Sequence, residues 1–411
     1  VITWRAGAVE QVGRAWPGAV ELTVTVPAGI TEPGPQTVRA LAYPELVGTP
    51  RPGDPVLLNV SALARGLGTG GYALVVAPGS ADRLPPDPPP GPGHLVKARY
   101  TPLQAMVLGV DDQESPHHAL LRDADDLAGL PVVVADLHSA LPAVVAGVRF
   151  ADARLTSPGA APLRVAYVMT DGGALPAWFS MAVAGLRDAG WIAACLTAGQ
   201  AFGGDHEAVT VHTALLAARH VVGADVVVLA QGPGNLGTGT RWGFSGVAAG
   251  EAVNAAAVLG GRPVASLRVS GADARERHLG ISHHSLTAYG RVALAPADVV
   301  VPVFDPAPVP HPGPDAVADG GSTVPDPVEH PEAHLAAVGR RVEQQVQALG
   351  APAGRHRLVD VPAGADLLTA LGGSPVRLST MGRGLAQDPA AFLAAAVAGV
   401  HAAHLARGTT P

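Results

Sequence analysis

Between Val132 and Val269 the chain repeats one pattern: a short, wholly apolar run, a turn rich in Gly, Asp or His, and a segment with helical spacing. The apolar runs are Val132 to Ala135, Val165 to Met169, Ile192 to Thr197, Val226 to Ala230 and Val264 to Val269. Helical segments fall between them at Ala140 to Gly147, Pro176 to Ala189, Val211 to Val222 and Val247 to Leu259. Apolar runs without polar alternation belong to strands covered on both faces, which are largely parallel. Parallel neighbours require a crossover, and crossovers are right-handed, so the pattern predicts an α/β fold with a doubly wound, Rossmann-like sheet. Ligands of such sheets bind beyond the carboxyl ends of the strands.

The flanks read differently. Residues 1–77 alternate short strands such as Ala19 to Val26 and Pro55 to Val60 with Gly/Pro turns, which predicts a small N-terminal β-barrel module of SH3-like or OB-like type. Its acidic and basic residues balance, which favours a structural or docking role over oligonucleotide binding. Residues 78–93 form a Pro-rich, semi-rigid linker, and residues 305–331 a Pro/Gly-rich loop. The α/β domain spans 94–304, opening with an extended run from Leu95 to Val110. A C-terminal continuation over 332–406 carries an amphipathic helix at Glu332 to Leu349, a final strand at Pro375 to Leu378, and a long terminal helix that starts at Asp388-Pro389.

Composition narrows the function classes. The 411 residues are 48% hydrophobic and 15% charged, with a net charge of -7, so a non-specific nucleic-acid binder is excluded on electrostatic grounds. The first residues lack a charged leader and no apolar run reaches spanning length, so a cytoplasmic chain without a membrane partner is expected; an Ala-rich surface is compatible with a homodimer and does not fix the oligomeric state. The single cysteine, Cys195, sits in an apolar run and reads as a buried hydrophobe. Of 27 basic residues all but Lys97 are arginine, either by chance or because a compact ammonium is required there.

Polar residues collect where strands end. The clusters are Asp136 to Ser139, Thr170 to Gly173, Gln200 to Glu207, Gln231 to Arg241, and Ser270 onward through Arg275, Arg277 and His278 to Ser282-His283-His284-Ser285. The turn from Gly232 to Gly246 is suited to cradling an anion, with Gly232, Gly234, Asn235, Gly237, Thr238, Gly239, Thr240 and Arg241 as binding residues and Arg99 adding charge. It lacks the Gly-Lys-Ser/Thr of a P-loop and the glycine order of an NAD fingerprint. Two chemistries stay open. Asp136, His138, His206 and His284 are candidate ligands for a divalent metal. Alternatively Lys97, Asp171, Asp205, His206 and His283 perform metal-free acid–base catalysis, with Asp205 also placed to cap the helix that follows.

Taken with Lys97-Ala98-Arg99-Tyr100-Thr101, Thr170 to Pro176, Gly203 to Glu207 and Ser379-Thr380-Met381-Gly382-Arg383-Gly384, these segments make the chain resemble an uncharacterised bacterial family, domain of unknown function 3866. The resemblance covers most of the chain and implies no activity or ligand. Residue chemistry therefore leaves two readings: an enzyme acting on a small anionic, phosphorylated or nucleotide-like substrate, or a non-catalytic metabolite-binding or assembly protein.

Overall fold

The computed structural model describes residues 2–304, 324–349 and 354–410, apart from positions 31, 68, 69, 81, 83, 86, 88, 90 and 158. Most of the Pro/Gly-rich loop expected over 305–331, and several positions of the 78–93 linker, lie outside the described residues.

Five strands, β1 (Trp4–Trp16), β2 (Ala19–Val26), β3 (Gln36–Ala42), β4 (Pro55–Asn59) and β5 (Ala73–Pro78), close into a barrel in the order β1-β2-β3-β5-β4. Alternation decides its inside: Val20, Leu22, Val24 and Val26 of β2 meet Val56, Leu58 and Val75 in one core. The extended run expected from Leu95 is instead a hairpin of β6 (Leu95–Lys97) and β7 (Ala105–Val107). Ala98 and Tyr100 adopt positive φ between them, which ends the strand.

The remaining strands are β8 (Pro131–Val134), β9 (Val165–Thr170), β10 (Ala194–Thr197), β11 (His206–Glu207), β12 (Val226–Gln231), β13 (Arg262–Ser266), a small antiparallel pair β14 (Val269–Ser270) and β15 (Gly280–Ile281), β16 (Asp298–Val303), β17 (Arg357–Pro362) and a second small antiparallel pair β18 (Ser379–Thr380) and β19 (Arg383–Gly384). Eight of them form one parallel sheet ordered β11-β10-β9-β12-β8-β13-β16-β17. No strand of this sheet forms at Pro375 to Leu378; the sheet's last strand is β17, whose half-exposed edge position gives it no continuous apolar run.

Helices Leu141–Leu155 and Pro389–Ala406 pack on one face of this sheet, and helices Val211–His220 and Ala248–Val258 on the other. Neighbouring strands β8 and β12 therefore feed helices on opposite faces, which makes the gap between their carboxyl ends the topological switch point. The helix Pro389–Ala406 is long and apolar enough to cross a membrane by length and composition, and it is largely buried. It crosses Leu141–Leu155 with backbones nearly touching: a Cβ on Gly147 would lie 1.9 Å from Ala396 O, and one on Gly399 1.9 Å from Val144 O. Glycine is required at both positions because no side chain fits between the two backbones.

Gly147→Ala and Gly399→Ala are each expected to lower the unfolding free energy by about 1–3 kcal/mol or more, since backbone rather than a flexible side chain must give way. Urea denaturation checks this, and wild-type midpoints in both variants would show that the crossing can open without cost.

Candidate functional site

The switch point is built from Asp136, just past β8, and Gln231, the last residue of β12. Gln231 Nε2 donates to Asp136 O (2.8 Å) and to Asn235 Oδ1 (3.0 Å). Asn235 Oδ1 also accepts from Ser245 Oγ (3.0 Å), so Asn235 clamps the base of the glycine-rich turn. The turn itself is an exposed hairpin closed by Thr238 N to Gly243 O (2.7 Å) and Gly243 N to Thr240 Oγ1 (3.1 Å). Its Thr hydroxyls bond to one another, and the Gly232 N–H is committed to Thr170 O. Part of the donor set expected to cradle an anion, the Gly232 and Thr238 N–H groups and the two Thr hydroxyls, is thus bonded within the protein, and Arg241 is exposed at the tip of the turn.

What the hairpin delivers is Phe244, which stacks on the His284 ring with centroids 3.8 Å apart and planes 3° from parallel. His278, His283 and His284 each place a ring nitrogen within 4.8 Å of the others, as a divalent cation requires. Ser282 organises them: its hydroxyl accepts from His284 N and meets His278 Nδ1 at 2.7 Å. His283 Nε2 is buried without a partner. Burial, with Arg268 and Arg275 nearby, pushes His278 down to about 3; burial, with His284 and Arg277 nearby, pushes His283 down to about 4. Both rings are neutral at physiological pH, the form in which imidazole ligates.

Arg268 Nη1 lies 3.0 Å from His284 Nδ1 and 3.9 Å from Asp136 Oδ2, and that carboxylate oxygen, 3.6 Å from His284 Nδ1, is buried without a hydrogen bond. Arginine only donates, so Nδ1 accepts here. The tautomer that frees Nε2 for a cation carries its proton on Nδ1, facing the orphaned Asp136 oxygen, with Arg268 paired to the same carboxylate. A carboxylate behind a ligating imidazole is a common second layer of metal sites. Beneath lies an ionic frame. Asp388 accepts from Ser270 Oγ (2.6 Å), Gly271 N (3.0 Å) and Arg383 Nε (3.1 Å), and Asp273 receives Arg275 through two side-chain bonds of 2.8 Å. Burial alone would raise the Asp273 carboxyl, but the Arg275 hydrogen bonds outweigh it and hold the group well below the usual carboxylate range. Asp388 therefore begins its helix without capping it by side chain.

The other expected residues lie elsewhere. Lys97 is buried, and Nζ donates to Gly199 O (2.6 Å), Ala208 O (2.8 Å) and Ala201 O (3.0 Å), with Glu207 at 3.7 Å. All three donors go to carbonyls of the sheet edge, so Lys97 braces these loops and offsets the buried Glu207 carboxylate. Asp205 bonds Cys195 N (2.7 Å) and Arg187 (2.7 Å), while Thr210 caps the next helix in its place. His206 packs edge-on to His117 in edge strand β11, four strands and roughly 19 Å from β8. His138 bonds Tyr167 Oη (2.9 Å) and Ser180 Oγ (2.7 Å), so neither nitrogen is free for a metal. Arg99 is exposed over Tyr100, and Asp171, which accepts from Gln200 N, lines a cavity shared with Asp136. Of the residues singled out from sequence, Asp136, Asn235, His283 and His284 converge. His278, Arg268, Gln231 and Phe244 complete the group, and the five-residue step from His278 to His283 matches no ligand signature that could have announced it.

These features define an α/β protein with a polar cleft at the carboxyl ends of its parallel strands and a β-barrel at its N-terminal side. Residues 39–399 match the family model described as protein of unknown function (DUF3866), and the chain belongs to that family. No curated protein matches it.

Burial pushes His138 from 6.5 down to about 4. A folded value below the unfolded one means its contribution to stability is complete above the unfolded pKa and is lost as pH falls through that interval. Acidification from neutral pH to about 4 should cost up to about 3 kcal/mol through this ring, and His138→Gln should flatten that part of a stability profile measured by urea denaturation. An unchanged slope in the variant would assign the acid sensitivity to other groups.

Proposed function

We propose that this chain is an enzyme whose reacting centre is a metal ion held by His278, His283 and His284, with a small anionic substrate entering past Arg241 and Arg277. The observation that carries the reading is the convergence of three ring nitrogens within 4.8 Å beside a buried carboxylate oxygen that has no partner. Cores rarely leave such groups unsatisfied without a use for them. The neutral rings suit zinc, manganese or iron. A divalent cation supplies Lewis acidity there, polarising an oxygen of substrate or water. Phe244 holds the His284 ring in plane; in the tautomer that ligates through Nε2 the Nδ1 proton would face Asp136, and Arg268, which donates to Nδ1 here, would pair with that carboxylate instead. Arg241 and Arg277 are exposed, and the hairpin tip reaches Arg277, where a Cβ on Gly239 would lie 3.7 Å from Nη2. Their charge attracts an anion toward the histidines.

Inductively coupled plasma mass spectrometry of unchelated protein should find about one transition metal per chain, as three histidine ligands with a fourth position open imply. His283→Gln, at the least buried ring, should lose it, whereas His206→Ala and His138→Gln should retain it. Absence of metal in the wild type, or full retention in His283→Gln, overturns the reading.

A further inference from the structure

At the β11 edge of the sheet, five strands from β13 and the histidine cluster that follows it, the loop after β7 lies against the start of β6. The loop is fixed to the sheet by backbone: Gly109 bridges Glu207, and Val110 N donates to Glu207 O (2.7 Å). A turn then closes from Ser115 N to Asp112 O (2.8 Å), while Ser115 Oγ donates to Val110 O (2.6 Å). Opposite, Gly93 has a φ of 102°, and a Cβ there would lie 2.6 Å from Leu108 Cα, so the chain entering β6 runs flush against the chain leaving β7. Gly93 N donates to Glu114 Oε2 (2.8 Å). Two backbone-held segments thus bring His94 to face Asp112.

The Asp112 carboxylate is the group that calls for a ligand. Its side chain is 1% exposed, and Oδ2 makes no hydrogen bond. That oxygen lies 3.2 Å from His94 Nδ1, a distance at which an aligned N–H would bond, so the ring nitrogen is directed past it. Among the described residues no Lys or Arg pairs with Asp112. A carboxylate buried in this way is costly unless a cation meets it. His94, Asp112 and Glu114 each offer an atom within 4.8 Å of the others. Ligands about 2.1 Å from a zinc-sized ion stand about 3–3.5 Å from one another, so the His94–Asp112 separation is that of neighbours on one ion.

We infer that His94, Asp112 and Glu114 form a second metal site, which takes a divalent transition ion. One imidazole with two carboxylates suits zinc or manganese, whereas magnesium and calcium prefer oxygen alone. Asp112 supplies the buried charge, while His94 and Glu114 are exposed and leave the remaining positions to water. An ion held so openly exchanges with solvent, and the site fills when the cation is supplied. Its role is a clip: it joins His94, where the chain leaves the barrel's linker, to a loop anchored on β11. The site does not depend on the proposed reaction centre.

Isothermal titration calorimetry with zinc chloride and manganese chloride tests this on dialysed protein. Wild type should bind one more ion per chain than His94→Gln, and Asp112→Asn should weaken that event at least about tenfold, since even an outer-layer partner of a metal site is worth that much. His220→Gln, which removes an exposed ring bonded to Asp126 O, should bind as wild type, and about a tenfold excess of magnesium should not compete. Zinc should raise the melting temperature of wild type more than that of His94→Gln, an exposed substitution whose metal-free melting temperature should be unchanged. Equal uptake by wild type and His94→Gln, unchanged affinity in Asp112→Asn, or the same loss in His220→Gln overturns the site. A difference of one ion that persists when His283→Gln is added to both chains upholds it whether or not the histidine cluster holds metal; disappearance of that difference overturns it.

Discussion

The close crossing of helices Leu141–Leu155 and Pro389–Ala406 is the contact on which the site depends. Because Gly147 and Gly399 admit backbone against backbone, the terminal helix lies deep on the sheet, and its first residues arrive at the strand ends. There Asp388 binds Ser270 and Gly271, which anchors the segment between β13 and the histidine cluster. Packing of two apolar helices thus sets the position of a polar loop more than a hundred residues earlier in the chain.

That loop carries an unusual amount of buried charge. Asp136, Asp273 and Asp388 are each under a tenth exposed, and Arg268, Arg275 and Arg383 are the cations that face them. Buried ion pairs gain little net stability, because desolvation offsets their attraction, yet removing one partner strands the other. The arrangement therefore specifies geometry more than it adds stability. It holds Arg268 against His284 and leaves one Asp136 oxygen unsatisfied at the point where neighbouring strands send their helices to opposite faces.

A single constellation read from the strand ends divides into two groups in space. Lys97, Asp205 and Glu207 tie the sheet edge to its loops, where a compact ammonium meets three diverging carbonyls that a planar guanidinium could not serve together. Asp136, Asn235, His283 and His284 meet at the centre. The glycine-rich turn works between them: it bonds its Thr hydroxyls to one another, closes through Thr238 and Gly243, and brings an aromatic ring to His284.

Local pattern was enough to determine the barrel, the parallel sheet, the helices and the edge at which polar residues gather, because apolar periodicity and turn chemistry are properties of neighbouring residues. It also marked Asp136, Asn235 and the His283-His284 pair. Strand order was beyond its reach, and with it the distance that separates His206 from Asp136, since β12 inserts between β8 and β9 only through long-range pairing. Beyond its reach too were the edge strand β17, the recruitment of His278 and Arg268, and the burial of Gln231 Oε1 without a hydrogen bond. Those depend on which carbonyls, carboxylates and rings compete for the same donors once the chain is packed, and only the tertiary structure decides that competition.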